Sequence, residues 1–517
     1  MTRIRRILDP EHAGVLLLLA PLTVLLAVEM ALSLRWRMTH DAPILHYIAL
    51  LVDKYGYAPY RDVLETSLPG SYLFHLAIGC TLGWSDAAFQ TVNVTWLAAL
   101  LGVTAALLWP LGRRVAWAGA VLFGLSYLQL GAEMVLQRDY VVILPVTGAA
   151  LLAARAPRPA RAWHALGVGL LMGLVATIKP QLSIGLPVVL LMMTGSGVPL
   201  GWRVYVPRLL RLAALAVAGC LLPVAGAFLW LWRTGGLPAF LDMALSYLPL
   251  YLQMTGDHFI LTGAARLSYL VRAFRRLGGL GIWLGPAALG LYVALFSAEL
   301  CAAKRRLVLM LAGLAAAYSL PPLIAGQFWD YHWMPFRYWL LVLSVLTLVP
   351  LPRRLPWAQR LLPPLLLLVV VLATFNTIPD FRRQLGGDSP APPKEGRPDA
   401  IVAALRPRLQ PDDKVQPLDW TGGSTEALLA LQVPIATRYL HDFHFYHHVS
   451  HPYIQALRRD FIATLAASPP RFVVEVTAKP IPWGPDTSTE FPELRALLHE
   501  RYAVVAVGDG FMLYERR

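Results

Sequence analysis

The sequence predicts a polytopic α-helical membrane protein of about eleven transmembrane helices, followed by an α/β domain on the outer side. Three observations point there. Hydrophobic residues make up 57% of the 517 residues and charged ones only 15%, against roughly a quarter charged in a soluble protein. Apolar runs at 13–34, 209–232, 283–296 and 361–375 are too continuous for polar surface to cover. Arg and Lys residues sit in short clusters between such runs, which is the distribution of topology signals.

In order, the spans are expected at 13–34, 87–110, 115–132, 139–155, 163–178, 181–196, 209–232, 279–298, 307–325, 337–352 and 361–377. A bilayer core requires about 20 residues of helix. Several segments are short or interrupted by Pro145, Pro180, Pro187 and Pro223, which neighbouring helices in a bundle tolerate. The first span is expected to be an uncleaved anchor, because its apolar run is long and no small-residue cleavage site follows.

Starting inside, the inward loops carry Arg3/Arg5/Arg6, Arg113/Arg114, Arg155/Arg158/Arg161, Arg203/Arg208/Arg211, Lys304/Arg305/Arg306 and Arg353/Arg354/Arg360. Positive charge on every inward loop places the N-terminus in the cytoplasm of a bacterial cell (inner) membrane and the tail outside. The exceptions, Arg35/Arg37 and Arg266/Arg272/Arg275/Arg276, lie outside. They suit an interfacial amphipathic helix or the binding of an anionic lipid head. The apolar stretch 71–84 is too short to span and is expected on the outer face as a re-entrant or interfacial helix.

The membrane part is expected to end near residue 380, a Pro-, Gly- and charge-rich linker to cover 381–400, and an extracytoplasmic α/β domain to cover 401–517. Strand-like runs occur there at 414–418, 471–476, 502–507 and 511–514, with helical runs at 425–431 and 452–467.

Some classes are excluded. The net charge of +14 lies in loop clusters, not on a nucleic-acid-binding face. Cys80, Cys220 and Cys301 have no paired spacing, so neither a disulfide framework nor a Cys-based zinc site is expected. No Gly-rich phosphate loop supports direct use of a nucleotide. The run His441-Asp442-Phe443-His444-Phe445-Tyr446-His447-His448, with His451, has metal-ligand residue types, but reads better as a polar and aromatic loop at a domain surface. No cofactor is predicted, and a divalent metal has no support in the residues.

The first long loop concentrates Asp41, Asp53, Asp62 and Glu65 beside the membrane, where ionisable groups are costly and functional by default. It contains G-x-x-P-Y-R-D-x-x-E-x-x-x-P-G from Gly56 to Gly70. On the same expected face lie Gln137-Arg138-Asp139-Tyr140, Lys179-Pro180-Gln181 and Trp329-Asp330-Tyr331-His332. This set resembles the bacterial GT-C glycosyltransferases. More narrowly, it is similar to the dolichyl-phosphate-mannose-protein mannosyltransferase-like group, which includes the aminoarabinose transferases. The resemblance covers about residues 1–380. It implies transfer of a sugar from a polyprenyl-phosphate carrier to a hydroxyl acceptor (envelope glycan, lipid or protein) at the non-cytoplasmic face. It also implies that Asp41 is the base or acceptor-orienting group, with Glu65 as the second acidic position. Ala42 follows Asp41 here, where the family commonly has an Asp-Glu pair, so the division of labour among Asp41, Asp62 and Glu65 stays open.

The chemistry asks for the same residue types. A sugar phosphate already carries a good leaving group, so the acceptor hydroxyl needs a base or strong hydrogen-bond acceptor. The departing phosphate needs cations, and Arg138, Lys179 and His332 fall at outer ends of expected spans. A single displacement inverts the anomeric centre. His46, Tyr60, Arg61, Asp139 and Tyr331 are candidates for contacting the substrate. Structural roles compete: Asp41 as a helix cap before Pro43, Asp62 paired with Arg61, Arg138 paired with Asp139, Lys179 snorkelling, and His332 in an aromatic belt. Glu29 in the first span faces the site or a partner. A transporter or flippase of an envelope glycolipid, and a non-catalytic envelope assembly protein, are the rival classes. Charge gathered at one face, with an outer domain after the last span, favours chemistry over transport.

Overall fold

The computed structural model describes residues 10–157, 159–195, 201–350, 356–375 and 379–517. The expected inward charges Arg3, Arg5, Arg6, Arg158, Arg353 and Arg354 lie outside the described residues.

Each expected span contains a helix: Pro10–Ser33, Asp86–Leu108, Arg113–Leu128, Ile143–Arg155, Ala162–Ile178, Leu186–Thr194, Trp202–Thr234, Gly281–Phe296, Ala302–Tyr318, Met334–Ser344 and Pro356–Thr374. Among the described residues, four stretches (Gly14–Ser33, Asp86–Leu111, Trp202–Thr234, Ala302–Ala325) are by length and composition sufficient to cross a bilayer alone. The bent pair Gly263–Gly279 and Gly281–Phe296, at 69°, makes a fifth. The remaining apolar helices are shorter, so the expectation of eleven spans stands only as a count of helical segments. Their interruptions have local causes. Lys179, before Pro180, is driven to extended backbone (φ −150°, ψ 99°) and ends the helix Ala162–Ile178.

Close packing of the helices relies on small residues. A methyl group at Gly169 would overlap the carbonyl of Ala216, and one at Gly219 would overlap that of Leu166. Ala162–Ile178 and Trp202–Thr234 therefore meet backbone to backbone, as helices do where lipid gives no hydrophobic drive for association.

Between the first two apolar helices, the chain forms Ala42–Tyr55, ended by Gly56 in the left-handed conformation (φ 67°), and Pro69–Leu82. The second occupies the stretch expected to be re-entrant or interfacial. Gly263–Arg275, which carries Arg266, Arg272 and Arg275, buries none of its residues.

The C-terminal residues form a four-stranded sheet, β1 (Val415–Leu418), β2 (Phe472–Val476), β3 (Tyr502–Gly508) and β4 (Phe511–Arg516), in the order β1-β2-β4-β3. β1 and β2 are parallel, while β4 is antiparallel to both β2 and β3. Helices Arg397–Leu405, Ser424–Leu431, Pro452–Ala467 and Pro492–Arg501 accompany it. This unit is bonded to the first loop: Tyr57 Oη donates to the Ile435 carbonyl at 2.9 Å, and the Leu64 amide to the Arg438 carbonyl at 2.7 Å. Tyr47 Oη donates to the Val433 carbonyl at 2.5 Å. The loop and the C-terminal unit thus share one polar seam, and the cavity described next opens beside it.

Candidate active site

A cavity of about 520 Å³ is walled by the first loop, the turns around Arg138, Lys179 and Tyr331, and the C-terminal unit. Its size falls within the range of small-molecule sites.

Asp41 stands at the N-cap of Ala42–Tyr55, yet its side chain makes no capping hydrogen bond. One carboxylate oxygen accepts from Arg138 Nη2 at 2.8 Å, and the other lies 3.1 Å from His40 Nδ1. Burial alone would push the Asp41 carboxyl up. His40, then Arg138 and Lys179, outweigh burial and hold it well below the usual carboxylate range. Arg138 opens the short helix Arg138–Val141 and also donates through Nη1 to Ser67 Oγ at 2.6 Å. Burial opposes the Arg138 charge, but Asp41 and its other electronegative neighbours keep it firmly protonated.

Ser67 in turn donates to Glu65 Oε1 at 3.0 Å, while the Thr66 amide caps Oε2. A continuous chain therefore runs from Glu65 through Ser67 and Arg138 to Asp41 and His40. Beside it, the Lys179 ammonium pairs with Asp139 and lies 5.1 Å from the centre of the Tyr331 ring. Burial lowers the Lys179 pKa, and Asp139 opposes that shift. His332 is held neutral by burial and by Lys179 and Arg138, and its Nδ1 meets no partner among the described residues.

Asp41, Glu65, Arg138, Lys179, Tyr331 and His332 thus all line one cavity. Asp139 stands behind it, holding Lys179. The competing Arg138–Asp139 pair does not form, because each residue pairs across the fold instead.

Four further candidates do not line the cavity. Asp62 is taken up by Arg61 (2.9 and 2.8 Å) and by the Ala58 amide (2.7 Å), which together close a tight turn, and neither Asp62 nor Arg61 lines the cavity. Tyr60 is buried, donates to the Ser67 carbonyl at 2.6 Å and packs edge-on to Tyr72 and Phe240. His46 is buried among His75, Trp84 and Phe89, and burial lowers its pKa to about 4. Tyr60 and His46 shape the loop from behind.

Several lining residues were not foreseen: His40, Ser67, Tyr251, His258, Lys394, Trp420, His441 and Phe443. The histidine-rich run is buried, contrary to the surface loop expected. His444 Nδ1 bonds Tyr247 Oη at 2.7 Å, and Tyr247 Oη bonds His447 Nε2 at 2.9 Å, so the run is pinned to the membrane-side chain. No local signal marks this, since its partners are about two hundred residues away. Among the described residues, no group of three or more His, Cys, Asp or Glu side chains is placed to hold a metal ion. Glu29 is fully buried in the first span and does not line the cavity.

No protein-family model and no curated protein sequence matches the chain. Solved structures do. ArnT from Cupriavidus metallidurans bound to undecaprenyl phosphate superposes with a TM-score of 0.62 at 13% identity, covering 96% of this chain and 98% of that one. The apo form of the same protein gives 0.62 at 15% identity, covering 96% and 97%. An archaeal oligosaccharyltransferase, AglB from Archaeoglobus fulgidus, in complex with an inhibitory peptide and a dolichol-phosphate, gives 0.44 at 11% identity, covering 89% and 69%. At such identities the likeness is one of fold, and it runs the length of the ArnT chain: this protein has the fold of the ArnT structures.

Proposed function

We propose that the protein is an integral membrane glycosyltransferase that moves a sugar from a polyprenyl-phosphate carrier to a hydroxyl acceptor at the non-cytoplasmic face. The observation that carries this reading is the pairing, in one cavity, of two half-buried cations with a separate carboxylate. Arg138 and Lys179 are each paired with an acid, Asp41 and Asp139. They suit a leaving phosphate, whose growing charge they stabilise without reorganising. Glu65 faces the same space from the other end of the hydrogen-bonded chain. The polyprenyl phosphate in the ArnT structure agrees with this choice of carrier.

The base is better assigned to Glu65 than to Asp41. Asp41 has Arg138 on one oxygen and His40 near the other, and a carboxylate stabilised as the anion is a weak proton acceptor. Asp41 instead aims Arg138 and keeps it charged. The acceptor hydroxyl passes its proton to Glu65, the new C–O bond forms as the bond to phosphate breaks, and the configuration inverts. The charge pattern of the loops supports a cytoplasmic N-terminus with residues 401–517 as the extracytoplasmic domain, joined through 381–400.

The test is transfer from a synthetic polyprenyl-phosphate sugar by purified protein. Glu65→Gln is expected to lower kcat about 10²–10⁴-fold while undecaprenyl phosphate still binds. Wild-type turnover by that variant would sink the assignment, and wild-type protein that binds no polyprenyl phosphate would sink the function. A cysteine placed in the tail should label only from outside the cell, and labelling only from the cytoplasm would invert the topology.

A further inference from the structure

The C-terminal unit contributes its own wall to the cavity, and nothing in the donor chemistry accounts for it. The Trp420 and Phe443 rings lie parallel, with centroids 4.2 Å apart and planes 18° apart. His258 packs edge-on to Trp420 at 4.5 Å. Next to them His441 is 2% exposed and lines the cavity, and neither ring nitrogen meets a hydrogen-bonding partner among the described residues. The Asp419 carbonyl is near enough to favour a proton on this ring slightly, but not at bonding geometry.

The wall is built rigidly. Asp419 accepts from the Gly422 and Ser424 amides, each at 2.9 Å, and from Ser424 Oγ at 2.7 Å, which fixes the turn carrying Trp420. Asp442 pairs with Lys479 behind His441. A buried polar ring left without partners costs stability unless a ligand completes it.

The chemistry of this wall suits an uncharged polyol. Burial keeps His441 below its ordinary pKa against the pull of Glu65, Asp419 and Asp442. A neutral imidazole offers one donor and one acceptor, which matches a hydroxyl that both gives and takes a hydrogen bond. The parts of the two rings that line the cavity offer apolar contact to the C–H groups of a sugar ring.

Position narrows the role further. Glu65 acts electrostatically on both Arg138 and His441. Glu65 is therefore the carboxylate shared by two walls, cationic on one side and aromatic with His441 on the other. In-line displacement brings the acceptor from the side opposite the departing phosphate.

Resting on the transferase reading, we propose that Trp420, Phe443 and His441 form the acceptor subsite and that the acceptor is a saccharide. Its hydroxyl would be delivered to Glu65 from the C-terminal side.

The experiment uses the full-length protein in detergent, with methyl glycosides of mannose, glucose and galactose as probes and undecaprenyl phosphate as the control ligand. At least one methyl glycoside should bind in saturation-transfer NMR. His441→Gln should weaken that binding about tenfold or more, while the affinity for undecaprenyl phosphate and the thermal midpoint stay at wild-type values. Trp420→Phe, which keeps the stacking on Phe443, should give a smaller loss. Where transfer is measured, His441→Gln should raise KM for the saccharide acceptor and leave KM for the donor unchanged. Wild-type protein that binds no methyl glycoside, or a His441→Gln variant that binds as wild type, overturns the subsite. A rise in donor KM instead assigns the wall to the donor sugar and overturns the acceptor role. Failure to bind undecaprenyl phosphate with glycoside binding intact would remove the transferase reading and leave the saccharide site standing.

Discussion

Asp41 and Asp62 belong to the same loop, and each pairs with an arginine, yet they do different work. Asp62 meets its chain neighbour Arg61 at side-chain exposures of 33% and 55%. Asp41 reaches Arg138 across the fold, at 18% and 17%. The first pair closes a turn in water, where such contacts contribute about 0–1 kcal/mol. The second is mostly desolvated, and removing one partner leaves a charge that water cannot solvate. Proximity in sequence makes a pair easy to form and of little consequence. A pair assembled from distant segments holds a cavity wall in place.

Substitution can break this comparison. Arg138→Met should abolish transfer and destabilise the protein by about 3–5 kcal/mol, the usual cost of stranding a buried charge. Adding Asp41→Asn to it should restore the thermal midpoint but not the activity. A single variant as stable as the wild type would show that the pair is not buried in function. Lys179→Met should act mainly on the donor, with KM raised about tenfold, or ~1.4 kcal/mol of ground-state binding. Because Asp139 then loses its partner, some loss of stability should accompany it. Equal donor KM in variant and wild type would remove Lys179 from the phosphate site.

The C-terminal wall offers a pH test. Burial, and then His448, hold His447 at about 3, against about 6.5 in an unfolded chain. Between those values the unfolded state binds the extra proton, so stability rises with pH through that window and falls as acid is added. Thermal midpoints should therefore drop as pH goes from ~6.5 towards ~3, and His447→Gln should flatten that slope. An unchanged slope would mean that His447 is solvated. The smallest effect is expected at Asp62: Asp62→Asn should change stability by at most ~1 kcal/mol and leave transfer at wild-type rate. A large loss of transfer there would bring Asp62 back into the site.

Much of the site was legible because membrane sequences separate their polar residues so strongly. Asp41, Glu65, Arg138, Lys179, Tyr331 and His332 share an expected outer face, and the fold gathers them around one cavity. Their pairing was not legible. Arg138 and Asp139 are adjacent in sequence, but successive residues on a helix point about 100° apart, so they face different partners. Arg138 reaches Asp41 and Asp139 reaches Lys179. Tyr60 and His46 have the composition of binding residues, yet their aromatic neighbours come from elsewhere in the fold and enclose them. The histidine run misled for the same reason, since its burial depends on docking against Tyr247 and Gln253.

By itself the sequence determined that apolar helices alternate with charged turns, and that the costly carboxylates and cations sit in those turns and at helix ends. Periodicity and hydropathy act within a few turns of chain, so they set these features locally. The tertiary structure alone decided which acid meets which base, that Asp62 serves a turn while Glu65 opens into the cavity, and that His441 completes the opposite wall. Those outcomes depend on contacts between segments tens to hundreds of residues apart, which no local pattern encodes.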